Sequence, residues 1–271
     1  MSSQGKSSEE KLVLSERDGR AVVITLNRPD KLNAINEAMG AQLMAALDAA
    51  EGDREVLAVI LQGNEKAFCA GADLSGFSDA PEDRYDNYRA RYNQRKTRAV
   101  YRYLHNYTKP VISAVEGFCL GGGLELALFG DFIVAGEGAQ FALPEARHSL
   151  IPGAGGTQNL PRRIGPALAK ELMWTARRLS AADAKEIRLV NHVVPKGEAL
   201  AKAKAIIGEM EASGPLAIMM IKQAVNRGTE MPLALGFYQE SDLAQLLAFS
   251  EDRQEGVKAF AEKRKPKFKG Q

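Results

Sequence analysis

Gly121, Gly122 and Gly123 stand between an apolar run and a helix-like stretch. A strand-to-helix junction of this kind leaves backbone N–H groups without internal acceptors at the positive end of a helix dipole. Such donors hold a phosphate or an oxyanion. The spacing is not the six-residue dinucleotide fingerprint and no Walker lysine follows, so a nucleotide phosphate is a weak reading. A tight turn with close helix–strand packing also accounts for three glycines. Glu125 falls in the first turn of the helix they open, where a carboxylate complements the dipole by about 0.3–1 kcal/mol. Glu145 follows Pro144, again a first-turn pattern. Either glutamate alone reads as structural. Together, beside oxyanion donors, two carboxylates supply a general acid and a general base.

Ile151-Pro152-Gly153-Ala154-Gly155-Gly156-Thr157-Gln158 is a second glycine-rich turn. It binds an anion, or it lets the backbone pass close to the Glu125 region; the second reading is preferred. His105, His148 and His192 fall in no metal spacing. His148 adjoins Ser149, but neither an Asp nor a nucleophile elbow completes a triad, so His148 is read as structural. Cys69 and Cys119 alone make neither a disulfide framework nor a zinc site.

These residues need elements to carry them. Val22 to Leu26 is a short β-branched run, and Asn27-Arg28-Pro29-Asp30 breaks it. Asn36 caps a helix whose apolar positions, Met39, Leu43, Ala46, Leu47 and Ala50, recur at three and four. Val56 to Leu61 reads as a strand covered on both faces. An irregular stretch is expected from Asn64 to about Asp83, holding Phe68-Cys69-Ala70-Gly71-Ala72-Asp73. The strand Val111 to Val115, the glycine-led helix into Phe129 and the strand Phe132 to Ala135 follow. Strands alternating with helices define an α/β class with crossover units. Ser180 with Asp183 resembles a capping box. After a last short strand, Val190 to Val194, four helices are expected over Leu200 to Met210, Leu216 to Asn226, Leu233 to Phe249 and Glu251 to Lys263. The organisation expected is a loose tail over 1–11, a core over 12–195 and a helical region over 196–271.

A helix expected from about Arg84 to Asn106 is unusual in composition. Tyr85, Tyr88, Tyr92, Tyr103 and Tyr107 share one face, and Arg84, Arg91, Arg95, Arg98 and Arg102 an adjacent one. Residues 84 to 109 hold eight Lys or Arg and one acid, Asp86, so the segment is +7 and the remainder of the chain −5. Interleaved aromatics and arginines can bind single-stranded nucleic acid. The plainer reading is an amphipathic helix with Tyr packed inward; an acyl-pocket or CoA-phosphate role is the third.

The 271 residues carry 36 Lys+Arg against 34 Asp+Glu, with 45% hydrophobic and 26% charged residues. That composition excludes wholesale disorder and a single-sign field over the molecule. No apolar run approaches the ~18 residues of a membrane span. The polar start has the pattern of neither a secretory signal nor a transit peptide, so the expected location is cytoplasmic.

The ordered motifs resemble the enoyl-CoA hydratase/isomerase (crotonase) superfamily, closest to its short-chain enoyl-CoA hydratases. They are Asn27-Arg28-Pro29 with Leu32-Asn33-Ala34, Lys66 through Leu74, Lys109-Pro110-Val111-Ile112 with Gly117, Leu120 through Ala127, and Gln140 through Glu145. Ile151 to Gln158, Leu179-Ser180-Ala181 and Phe260 with Glu262-Lys263-Arg264 complete the set. The resemblance implies a spiral of ββα units with a helical C-terminal trimerisation region, assembled as a homo-trimer or hexamer. It implies an acyl-CoA thioester substrate, with no metal and no cofactor beyond the CoA of the substrate; no membrane partner is expected, and nucleic acid is the least favoured partner. By motif position the oxyanion hole falls to the N–H groups of Ala72 and Gly122. Glu125 is implied as the base that activates water and Glu145 as the acid that protonates C2. The implied reaction is syn hydration of a trans-2-enoyl-CoA, a step of fatty-acid β-oxidation; an isomerase or another thioester-enolate reaction is the alternative, and an RNA-binding member of the superfamily that uses the +7 helix is the last. Ala70, Gly71, Asp73, Gly121, Phe260 and Lys263 are implied as substrate or CoA contacts. Two departures stand out. Arg188 occupies a position where relatives often have Gly. Arg147 and His148 follow Glu145 where relatives are small or apolar, and could tune its pKa or meet a polar acyl group. The Tyr-rich helix suggests an acyl group that is aromatic or branched.

Overall fold

Along Val22, Val23, Ile24 and Leu26 the side chains alternate between two separate apolar clusters. Successive side chains of a strand point to opposite faces, so this strand is covered on both. The computed structural model describes residues 10–73, 95–96 and 98–271. Its strands are β1 (Val13–Asp18), β2 (Ala21–Leu26), β3 (Ala58–Gln62), β4 (Ala67–Cys69), β5 (Val111–Val115), β6 (Phe118–Leu120), β7 (Phe132–Gly136), β8 (Gln140–Ala142), β9 (Leu179–Ser180) and β10 (His192–Val194). Its helices are α1 (Glu37–Gly52), α2 (Ala99–His105), α3 (Gly122–Ala127), α4 (Gly156–Ile164), α5 (Pro166–Thr175), α6 (Ala181–Glu186), α7 (Ala199–Met210), α8 (Pro215–Gly228), α9 (Leu233–Ala248) and α10 (Glu251–Ala261).

The first sheet runs β1-β2-β3-β5-β7-β10 and is parallel except for the β1–β2 pair. Val59, Leu61, Val111, Val115 and Ile133 face one core. Ala58, Ile60, Ile112, Ala114 and Val134 face the other, where Ala199, Ala203 and Ile207 of α7 close it. Burial on both faces is why these strands read as near-continuous apolar runs.

The second sheet runs β4-β6-β8-β9, its first three strands parallel. β4, β6 and β8 each follow a long strand of the first sheet after a few residues, so the repeated unit is strand, strand, helix. This corrects the irregular stretch expected from Asn64 to Asp83, since β4 lies inside it. Three-residue strands are too short to show a period, so the sequence pattern hid them. The edge strand β1 was missed for another reason. Its last four residues, Ser15 to Asp18, are exposed and polar, so nothing in it alternates.

Asn36 caps α1 through a 2.8 Å bond from the Met39 amide, and Ser180 with Asp183 forms a complete capping box on α6. Arg188, just beyond α6, has φ +64°, the left-handed backbone that glycine adopts without strain. The four helices expected after the last strand are α7 to α10, with ends shifted by one or two residues. Ile221, Val225, Phe237, Tyr238, Phe249 and Phe260 on or beside α8 to α10 are exposed in the single chain. Among the described residues no helix is long and apolar enough to cross a membrane, and no three His, Cys, Asp or Glu gather as a metal site.

Candidate active site

The C-terminal ends of β4, β6 and β8 lie side by side, and the turns that leave them carry Ala70-Gly71-Ala72, Gly121-Gly122 and Pro144-Glu145. Parallel α/β sheets present their strand ends as binding crevices. Cys69 and Cys119 pair in register across β4 and β6, which brings the first two turns together. A Cβ built on Gly122 would stand 3.4 Å from the Ala72 nitrogen. Neither the Ala72 N–H nor the Gly122 N–H has an acceptor among the described residues. A Cβ at Gly123 would fall 2.1 Å from the Cys69 carbonyl oxygen, so only glycine lets α3 start this close to β4. The buried Tyr101 hydroxyl donates to the Gly122 carbonyl at 3.1 Å and braces the same turn.

The Ala70–Asp73 segment is held from behind. Ala70 N–H donates to Leu32 O at 3.0 Å, Ile35 N–H to Gly71 O at 2.7 Å, and Asp73 N–H to Ile35 O at 2.9 Å. Asn33, fully buried, accepts from the Arg28 amide and donates to the Ala67 and Phe68 carbonyls. Arg28 bonds the Ala34 carbonyl at 3.0 Å and the Asp73 carboxylate at 2.5 Å. The carboxylate of Asp73, implied as a CoA contact, is thus held by Arg28. The Asn-Arg-Pro and Leu-Asn-Ala motifs had no assigned task in the sequence; they build this brace.

The two glutamates meet at the same place but in different surroundings. Glu125 is 3% exposed, and its Oε1 accepts from the Ala154 N–H at 2.7 Å and the Gly156 N–H at 2.8 Å. The glycine-rich turn therefore does hold an anion, and that anion is the chain's own. Burial raises the Glu125 pKa, while the Gly156 and Ala154 amides and the Arg98 charge oppose it. Glu145 opens a 3₁₀ turn, Glu145–His148, with its Oε1 3.1 Å from where a Cβ on Gly121 would stand. Its Oε2 is buried without a hydrogen-bond partner. Burial pushes this carboxyl up to about 7, opposed by its own backbone N–H, with the Glu125 charge adding to the rise.

Ala70, Gly71, Ala72, Gly121, Gly122, Glu125 and Glu145 are thus gathered into one crevice. Phe260, 86% exposed on α10, and the exposed Lys263 in the turn after it make no hydrogen bond, ion pair or ring contact with that group in the single chain. Arg147 and His148 are exposed, Arg147 turning toward the Thr175 carbonyl, and neither contributes to the shift of Glu145. Of the Tyr face, Tyr85, Tyr88 and Tyr92 lie outside the described residues, as do Arg84 and Arg91. Tyr103 bonds Asp48 and Glu51, and buried Tyr107 bonds the Leu47 carbonyl, so both pack inward on α1 rather than line an acyl pocket. Lys109, counted in the basic segment, is buried with its ammonium on the Ala50 and Asp53 carbonyls. Sequence reasoning missed Tyr101, which lies on the side of the helix opposite the Tyr face and so gave no signal, and Asn33 and Arg28, whose motifs did.

Two N–H donors without an acceptor among the described residues, beside two carboxyls whose proton affinity burial raises, can stabilise an oxyanion while one group takes a proton and the other gives one. A sequence model described as enoyl-CoA hydratase/isomerase matches residues 16–271. The 2,3-dehydroadipyl-CoA hydratase of Escherichia coli K12 is 39% identical over 95% of this chain and 98% of its own. The short-chain-enoyl-CoA hydratase of Clostridium acetobutylicum is 39% identical over 93% of this chain and 95% of its own. The crystal structure of an enoyl-CoA hydratase from Bacillus anthracis superposes with a TM-score of 0.88 at 37% identity, covering 96% of this chain and 100% of that one.

Proposed function

Because the chain belongs to the enoyl-CoA hydratase/isomerase family, we propose that it hydrates a trans-2-enoyl-CoA to the 3-hydroxyacyl-CoA, reversibly and with syn geometry. In this reading the thioester oxygen lies between the N–H groups of Ala72 and Gly122. An oxyanion-hole donor contributes about 2.7–4 kcal/mol when charge develops on the oxygen. Glu125 takes a proton from water as it attacks C3, the thioester becomes an enolate, and Glu145 delivers its proton to C2. In dehydration the two exchange roles. Only protons and a hydroxyl move, so the step as written calls on neither a metal nor a redox group. The supporting observation is the pairing itself: both glutamates are present beside two N–H donors that have no acceptor among the described residues, Glu125 gripped by two backbone amides and Glu145 with one carboxyl oxygen buried and unpartnered.

The experiment is loss of the conjugated enoyl-thioester absorbance of crotonyl-CoA, with Glu145→Gln alongside. Formation of 3-hydroxybutyryl-CoA, abolished in the variant, supports hydration. Inert crotonyl-CoA together with conversion of a 3-enoyl-CoA to its 2-enoyl isomer would replace hydration by isomerisation. A panel of aromatic, branched and straight-chain enoyl-CoAs then ranks the acyl group. The exposed apolar side chains of α8 to α10 support a further part of the reading, self-association as a trimer or hexamer. Phe260 and Lys263 sit on that helical region, and a role for Lys263 at the CoA would appear as a raised KM in Lys263→Ala.

A further inference from the structure

Arg98 stands at the N-terminal edge of α2, and in the sequence it is one of five arginines on a face adjacent to the tyrosines, read as solvated or salt-bridged. Its guanidinium instead rests on the glycine-rich turn. A Cβ on Gly153 would come within 2.6 Å of Nη2 and 3.0 Å of Cζ, so glycine leaves the room that the guanidinium fills. The next residues of that turn, Ala154 and Gly156, are the ones whose amides hold Glu125. The Arg98 side chain makes no ion pair or hydrogen bond with a described residue. Its charge acts through space on Glu125 and on the buried Tyr101.

The charged and titratable groups around Glu125 are then few. α2 presents Arg98 and Tyr101, the 3₁₀ turn presents Glu145, β4 presents the neutral Cys69 thiol beside Tyr101, and the turn into α4 presents only amides. Among the described residues Arg98 is the cation acting on Glu125, and no described cation is among the influences on Glu145. A positive charge thus bears on one carboxyl and not on the other.

Resting on the hydratase reading, we propose that Arg98 is a positioning residue that favours the charged form of Glu125 over that of Glu145, and so biases Glu125 toward the role of base in hydration. It touches no reacting atom. It works through the carboxylate and through the turn whose amides grip that carboxylate.

The test is the pH profile of kcat/KM for crotonyl-CoA in Arg98→Leu, Arg98→Lys and the unaltered protein. Removing the cation raises the acidic limb by about half to one pH unit, as loss of a nearby opposite charge does. Arg98→Lys keeps a cation and returns the limb toward its original place. Limbs that stay put while both variants lose rate by one factor at every pH would reduce Arg98 to packing and overturn the proposal. Arg98→Gln replaces the leucine variant if that one does not fold. A second readout is independent of turnover: carboxyl titration by ¹³C NMR in glutamate-labelled protein, the Glu125 signal assigned by its loss in Glu125→Gln. An upward move of that titration in Arg98→Leu sustains the inference even if the protein hydrates no enoyl-CoA. An unmoved titration ends it even if hydration is fast.

Discussion

Glu125 and Glu145 differ by nothing in their chemistry, and everything in their readiness comes from what surrounds them. Burial raises the pKa of both; on the first, two amides and a nearby guanidinium oppose that rise, whereas on the second a like charge adds to it and only its own backbone N–H opposes it. For Glu145 the sign is definite: its folded pKa near 7 lies above the ordinary carboxyl value, so the folded chain holds a proton that the unfolded chain has released. Stability tied to this group is full below about pH 4 and is lost as pH rises toward 7 and beyond. Glu145→Gln should therefore unfold at higher denaturant than the unaltered protein at pH 8, by about 1–2 kcal/mol after allowing for partial solvation. The gap should close below about pH 5. The same variant should lose hydration by about 10²–10⁴-fold, the usual weight of a general acid. A variant both dead and no more stable at pH 8 would deny Glu145 its buried proton. The sequence showed both glutamates and offered the acid–base reading, because type and spacing are written there. It could not show what grips Glu125, since that comes from residues 27 to 31 positions away in the chain: Arg98, Ala154 and Gly156.

At the scale of elements, the precision of the crevice rests on groups that never face it. The Ala72 amide is aimed by a segment tied to Leu32, Ile35 and Arg28 rather than by its own strand. Arg28→Met should leave the fold intact by circular dichroism yet lower kcat by about tenfold or more, because a donor displaced by a fraction of an ångström misses a developing oxyanion. An unchanged kcat would mean that the brace is redundant. Arg188 tells the opposite story of an element that fits badly. A left-handed backbone strains any side chain with a Cβ, so Arg188→Gly should raise stability by about 0.5–1 kcal/mol, read as a later urea midpoint at unchanged m-value. The long parallel strands and the capped helices were legible because period and cap are local. β4, β6 and β8 were not: three residues cannot display a period, and their pairing is fixed by contacts distant in sequence.

Taken whole, the molecule divides its apolar surface unevenly. The first sheet is sealed on both faces, while α8 to α10 leave aromatic and aliphatic side chains in water. The proposed self-association would cover them, and sedimentation should then find an assembly of three or six chains. Phe237→Glu with Phe249→Glu should shift it toward a single chain, and a monomer before any substitution would set the reading aside. Periodicity placed these helices in the sequence, but not which of their faces stays open, for that depends on how α8 and α9 pack on one another. The two amides proposed to hold a thioester oxygen are main-chain atoms, and in that reading this has a consequence for descent. Inheritance can exchange the side chains at 125 and 145 one mutation at a time while the bend that presents those amides is passed on unaltered. A lineage that abandoned hydration would then keep its grip on the thioester, and start toward its next reaction with the hardest part already made.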